Sequence, residues 1–496
     1  MTEERPQLKP DRRGPPAWRG WAIMFGAMVA TFLLGILAAS IIERRREGRP
    51  QPPPVAIAPW ESDSAQWAAN YPREYDRYKL TEDSTTKTKY GGSFPRDYLA
   101  ETPANAILFA GYGFAKEYRQ ARGHTHAVTD VKATQRRTEK TPATCWTCKS
   151  PDVPRLLVEF YLAGLPPPKP DPASLDSSKL DPAKFYKMSF KELEGQVTHP
   201  IGCLDCHEPS SMRLRITRPA LREALAKQDK DPDRMSHQEM RSLVCAQCHV
   251  EYYFKPEGNY LTFPWARGTL VEKIEEYYDS DAAGFSDWTH AISGARMLKM
   301  QHPDYEVYRT GIHAYREVSC ADCHMPYRTE GGVKYTDHYV RSPLLNIANS
   351  CAVCHRWSEE ELRTRVEAIQ DKVAEGRQRA EKAICRAHFD VAAAVQAGAK
   401  DDELAEVRRL VRRAQMRWDF VAANNGMGFH SPQECLRVLN AAVDLAGECR
   451  VECARILARH SIVEPVEYPD YGSKEKAQAL EESFRSGKPP RLTKRT

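Results

Sequence analysis

The sequence predicts a mainly α-helical fold with little β structure. Short helices and loops wrapped around bound groups fill the first two thirds, and long helices follow at the C-terminal end. Three observations predict it. Five Cys-x-x-Cys units lie between residues 145 and 354, separated by uneven gaps. The chain around them is densely punctuated, as in "LPPPKPDPASLD" near 165–176, "KPEGN" at 255–259 and "EGG" at 330–332, with few alternating runs long enough for a sheet. After Cys351 the texture changes to long charged segments of helical period.

Residues 1–43 read as an export signal or an N-terminal membrane anchor. The run 21–42, "WAIMFGAMVATFLLGILAASII", carries no charge, and at about 1.5 Å per residue it just spans a hydrocarbon layer of about 30 Å. Either it is cleaved near the small residues 38–40, or it stays as an anchor. It is longer than a secretory apolar core of about 7–15 residues, and "ERRRE" follows it directly. Residues 44–59 form a proline-rich linker, "RPQPPPVAIAP". Residues 60–356 hold the paired cysteines. Residues 357–465 hold three helices: one opened by a capping box at Ser358 and Glu361 and running to about Gln396, one from Asp401 to about Ala423, and one opened by Ser431-Pro432-Gln433-Glu434 and running to about His460. Their apolar stripes serve either packing within the chain or an antiparallel homodimer face. Residues 466–496 read as a C-terminal tail.

The 496 residues are 41% hydrophobic and 28% charged, with a mean hydropathy of −0.61. That is lean for a core built from protein alone. Of the net charge of +5, residues 1–50 contribute +4, from nine basic and five acidic side chains. The rest is nearly neutral, and no clustered basic face marks a nucleic-acid partner. Fourteen cysteines suit a reducing compartment only if they bind something. The five units take ten and leave Cys385, Cys435, Cys449 and Cys453 as either disulfide partners or buried thiols.

Four thiol pairs are followed at once by histidine: "CLDCH" at Cys203, "CAQCH" at Cys245, "CADCH" at Cys320 and "CAVCH" at Cys351. This is the spacing of c-type haem attachment. A zinc site would also use the thiols, but it places no demand on the next residue. With 15 histidines in 496 residues, four such matches would arise by chance on the order of once in a million. The pairs Cys203/Cys206, Cys245/Cys248, Cys320/Cys323 and Cys351/Cys354 therefore read as haem sites with proximal ligands His207, His249, His324 and His355. Thioether attachment takes place on the exported side of a membrane, in agreement with the apolar run.

The fifth pair, Cys145 and Cys148 in "TCWTCKSPDV", ends in Lys149. A lysine amine ligates iron only without its proton, and its free pKa is about 10.4, so the metal must displace that proton. Two histidines suit simple electron transfer better. The lysine therefore marks one different haem, with its far side open to a substrate. A degenerate attachment site is the plainer alternative.

These features together, with "KMQHPDYE" at 299–306, "GYGFAKEYRQARGHTHAVTDV" at 111–131 and "HSPQECLRVL" at 430–439, resemble the pentahaem ammonia-forming cytochrome c nitrite reductases over most of the exported chain. The resemblance implies a catalytic region with five covalent haem c groups at 60–356. It implies a distal trio of Arg136 (with Arg137 as the adjacent register), Tyr252 and His302 over the Lys149-ligated haem. It implies one calcium ion held by Glu251, Gln301 and the carbonyls of Tyr252 and Lys299. It gives His338 to the haem at Cys203, His124 (beside His126) to that at Cys245, His430 to that at Cys320 and His313 to that at Cys351. His199, His237, His290, His388 and His460 remain as ordinary polar histidines. The implied activity is six-electron reduction of nitrite to ammonium by a periplasmic homodimer. Its implied donor is a membrane quinol-oxidising multihaem cytochrome. A non-catalytic electron-transfer cytochrome, or a related hydroxylamine or tetrathionate reductase, is the alternative.

Overall fold

The computed structural model describes residue 16 and residues 18–47, 53–280 and 284–493. Residues 1–15 and 17 of the predicted signal or anchor, and 48–52 of the linker, lie outside the described residues. Contacts divide the chain into Met1–Pro52 with Ser211–Arg213, and Pro53–Ser210 with Leu214–Thr496. In the first unit, the helix Trp18–Glu47 contains a stretch, Trp18–Ile42, long and apolar enough to cross a membrane. Trp21, Phe25, Phe32 and Leu34 are all exposed on it.

The second unit joins both predicted regions. Its first part is a succession of helical turns too short to stand alone, and side chains start many of them. Asp63, Asp97, Asp171, Asp176 and Asp231 each accept a main-chain N–H at the opening of a turn. Three two-stranded antiparallel hairpins are the only sheets among the described residues. In Tyr327–Glu330 with Val333–Thr336, Glu330 faces Val333. Gly331 and Gly332 make that two-residue turn with φ of 57° and 78°, values glycine adopts without penalty.

The long helices are Glu359–Gln396, Asp401–Ala422 and Pro432–Arg459. The Ser358 hydroxyl accepts from Glu361 N at 3.2 Å, while the Glu361 carboxylate accepts from Ser358 N at 2.9 Å, so the predicted capping box is formed. The expected cap at Ser431 is not: its side chain makes no bond to the helix start, and Pro432 alone opens the third helix. The first helix is amphipathic only at first. From Ile384 to Ala394 nearly every residue is buried, because this half runs between the other long helices and residues 104–108. Cys385, Cys435, Cys449 and Cys453 are buried free thiols, and Cys449 Sγ donates to the Val407 carbonyl at 3.3 Å. The predicted tail contains the helix Lys474–Arg485, which packs on residues 104–108 and buries Ala477 and Leu480. A second apolar core, with Trp146, Leu156, Phe190, Leu221 and Trp265, surrounds the Cys145 turn.

Candidate haem sites and active site

The Cys145 turn is a single helical turn, Ala143–Trp146, followed by the helix Asp152–Ala163. The Trp146 ring stacks on Phe190 at 3.8 Å, and its N–H donates to the Phe190 carbonyl at 3.1 Å. Beyond Lys149, the Ser150 hydroxyl donates to the His199 carbonyl at 2.6 Å. Buried Asp152 accepts from Thr198 N and His199 N. The lysine therefore leaves a turn fixed on both sides.

Arg136 follows the helix Ala127–Ala133. Buried Glu117 accepts from the Thr134 hydroxyl at 2.7 Å and from Gln135 N at 2.6 Å, holding the segment that carries it. The guanidinium carbon lies 4.0 Å over the Phe114 ring, a cation–π contact. Burial lowers the Arg136 pKa, while Tyr118, Glu117, Tyr112 and Tyr252 support its charge. Arg137 faces elsewhere, 4.5 Å over Phe190 and 3.7 Å from Glu194. Tyr252 stacks on Phe254 at 5.7 Å. Burial, with Cys148, Cys145 and Glu251 nearby, pushes its phenol well above the usual range, so it keeps its proton. Burial and the charge of Lys149 push His302 down to about 3. The Lys149 and Arg136 charges are both felt at Cys145. Lys149, Arg136 and Tyr252 are thus electrostatic neighbours of the Cys145/Cys148 pair, and His302 is a neighbour of Lys149.

The other four turns present a different pattern. His207 faces His338 with ring centroids 6.2 Å apart, His249 faces His124 at 6.4 Å, His324 faces His430 at 6.3 Å and His355 faces His313 at 6.3 Å. Two metal–nitrogen bonds of about 2.0 Å and two ring radii of about 1.2 Å add up to about 6.4 Å, so each pair fits one metal between its imidazoles. Second partners set the tautomers. His324 Nδ1 donates to the Arg341 carbonyl at 3.0 Å, His338 Nδ1 to the Thr336 carbonyl at 2.8 Å, and His249 Nδ1 to the Asp304 carboxylate at 3.0 Å. An acceptor at Nδ1 leaves the Nε2 lone pair for the metal. His126 instead places Nε2 2.9 Å from the Glu82 carbonyl. Gly311 lets the segments of His313 and His430 meet, since a side chain there would strike the His430 carbonyl oxygen. Haem c fits these four sites.

Of the residues expected to hold calcium, Glu251, Gln301 and Lys299 are linked by hydrogen bonds. Fully buried Glu251 accepts from the Tyr278 hydroxyl at 2.8 Å and from Gln301 N at 2.6 Å. The Gln301 side chain lies 3.2 Å from the Lys299 carbonyl. Burial, with Glu306 and Asp287 nearby, raises Glu251 well above the carboxylate range. A buried carboxylate is a donor that a hard cation takes, and the Lys299 carbonyl lies one residue contact away through Gln301. The Lys299 amine turns away into a buried ion pair with Asp419 at 2.8 Å.

Several buried contacts have no signal in the sequence. Asp304 bonds His249 across 55 positions and is itself held by Asn424 and Asn425. His290 and His388, expected as ordinary polar histidines, are buried and stacked at 3.7 Å. His290 reaches the Ile107 carbonyl, and His388 reaches Ser293 and Gln415.

Thiol pairs on helical turns, with nitrogen ligands facing across gaps that one metal bridges, define a c-type cytochrome carrying several haems. The chain belongs to the cytochrome c552 family, whose model matches residues 63–486. Relatives called cytochrome c-552 from Parabacteroides distasonis and Porphyromonas gingivalis are 46% and 44% identical over 471 and 481 residues. These matches cover 93% and 95% of this chain and 91% and 92% of theirs. Among solved structures, the cytochrome c nitrite reductase catalytic subunit (NrfA) of Desulfovibrio desulfuricans, described with two calcium sites, aligns with a TM-score of 0.74. It is 31% identical, over 81% of this chain and 88% of that one.

Proposed function

We propose that the chain reduces nitrite to ammonium, with six electrons and eight protons, at a haem attached through Cys145 and Cys148 and ligated by Lys149. One observation carries the reading. Four attachment turns have a histidine opposite their own histidine, whereas Lys149 shares its surroundings with Arg136, Tyr252 and His302. The likeness to a nitrite reductase catalytic subunit over most of both chains supports it.

Haem c, when bound, supplies electrons and an iron position for a small anion. Arg136, steadied by Phe114 and the Glu117-held segment, attracts the anion and orients its oxygens. Tyr252 and His302 donate hydrogen bonds where negative charge develops and pass on protons. Hydroxylamine, nitric oxide and sulfite fit the same open position. The pairs His207/His338, His249/His124, His324/His430 and His355/His313 would hold four further haems, five in all, which would supply the site with electrons. Glu251, Gln301 and the carbonyls of Tyr252 and Lys299 would hold a calcium ion, which would brace the segment between Tyr252 and His302. The protein acts outside the cytoplasm, in the periplasm, led there or anchored by residues 21–42 within the apolar helix. It works as a homodimer through its long-helix region and takes electrons from a membrane quinol-oxidising multihaem cytochrome.

The test is to purify the exported protein, count its haems by mass and assay ammonium from nitrite with a reduced viologen. Five haems and ammonium are expected. Four haems, or no ammonium, would leave an electron-transfer cytochrome. Lys149→His should keep its haem and lose most nitrite turnover.

A further inference from the structure

Arg218 is 1% exposed, the most deeply buried arginine of the described residues. Its Nε donates to the Thr147 carbonyl at 2.9 Å and its Nη2 to the Ser150 carbonyl at 2.8 Å. These two carbonyls bracket Cys148 and Lys149. Nη1 pairs with Asp205 at 2.6 Å, and Asp205 also accepts from Gly202 N at the start of the Cys203–Cys206 helix. The Arg218 main-chain N–H donates at 3.0 Å to Gln247, which stands between Cys245 and Cys248. Gln247 in turn donates to the Asp205 carbonyl at 3.1 Å. The Arg218 side chain thus ties the Cys145 and Cys203 turns together, and its main-chain N–H adds the Cys245 turn. Among the described residues, no arginine occupies the carbonyls flanking His249, His324 or His355.

The chemistry of lysine explains why this turn has such a tie. An imidazole is rigid beyond two torsions, and a second partner at Nδ1 orients it, as at His249 and His324. A lysine amine sits on a flexible four-carbon stem with much more rotamer freedom to lose. It reaches a defined point only if its backbone starts from a fixed one. Arg218 fixes that start with two parallel bonds from its planar fork, a geometry lysine cannot copy.

We propose that Arg218 is a positioning residue for Lys149, holding the carbonyls of Thr147 and Ser150 so that the amine meets the metal of the haem attached at Cys145 and Cys148. This rests on reading Lys149 as an iron ligand.

The experiment compares full-length, haem-loaded wild type with Arg218→Lys, by haem count, optical and spin-resonance spectra, and nitrite kinetics. The variant should load the same number of haems and keep the low-spin signals of the histidine-paired haems. Its high-spin signal should shift in position or line shape, and kcat should fall about tenfold to hundredfold with KM within about twofold, as displacement of a reacting centre predicts. An unchanged high-spin signal and kcat would overturn the proposal. Should Arg218→Lys not accumulate, Gln247→Leu removes the acceptor of the Arg218 main-chain N–H. The same shift and fall in kcat are expected there at smaller size, and an unchanged signal there overturns the proposal equally. Wild type without any high-spin haem sinks the Lys149 reading itself. Wild type with one that Arg218→Lys preserves sinks only the role of Arg218.

Discussion

The two regions of the second unit are built by different physics. The long helices bury their own apolar residues against one another, with Val407, Leu439, Ala442 and Ile456 almost or wholly inaccessible. Between Thr144 and Cys354 the chain is instead pinned by single polar side chains on main-chain atoms: Arg218 on Thr147 and Ser150, Lys132 on Glu194 and Val197, Gln238 on Glu317. The first kind of region supplies its own core. The second has a smaller apolar core around the Cys145 turn and arranges its other turns by polar staples, leaving haem to complete the packing.

The largest effect should come from withholding that cofactor. Protein made without haem attachment is expected to keep slow hydrogen exchange in Glu359–Gln396, Asp401–Ala422 and Pro432–Arg459 and to lose it across 144–354. Equal protection in both regions would erase the contrast. Next comes the joint between the regions. The Lys299–Asp419 pair is fully buried, and Asp419 also accepts from Met300 N at 2.8 Å, next to Gln301. Asp419→Ala strands a buried ammonium and should cost about 3–5 kcal/mol, read from the urea midpoint. A loss under 1 kcal/mol would show that the regions are not joined there.

Acid should act through the histidine stack. Burial and the neighbouring His388 hold His290 well below the usual range, and burial holds His388 at about 4. In the unfolded chain both titrate at about 6.5. As pH falls from 6.5 towards 4, the unfolded chain binds protons that the folded chain refuses, so stability falls through that window. His388 alone accounts for on the order of 3 kcal/mol. Denaturation midpoints should drop over that interval in wild type and drop less in His388→Gln, and parallel curves would contradict this. The smallest effect belongs to Ser358→Ala, which removes one cap and should cost about 1 kcal/mol with nitrite turnover unchanged.

The same contrast explains what the sequence revealed. The long helices were legible because their signals are local: the Ser358 box, Pro432 and helical periodicity place the boundaries within a residue or two. The attachment turns were legible because covalent chemistry fixes Cys-x-x-Cys-His. The polar staples were not, since Arg218 and Thr147, or His249 and Asp304, are far apart in sequence and of ordinary type. The stacked His290 and His388 escaped for the same reason, as nothing near either residue indicates burial. The helix in the tail was missed because its few apolar positions, Ala477 and Leu480, form a short stripe in a charged segment.

The central claim is that one metal takes a lysine amine on one side and stays open on the other. It is tested most directly by the spin-resonance spectrum of the haem-loaded protein before and after nitrite is added. The account predicts one high-spin haem whose signal changes with nitrite, beside low-spin haems that do not respond. A spectrum of low-spin haems alone, unaltered by nitrite, would contradict it.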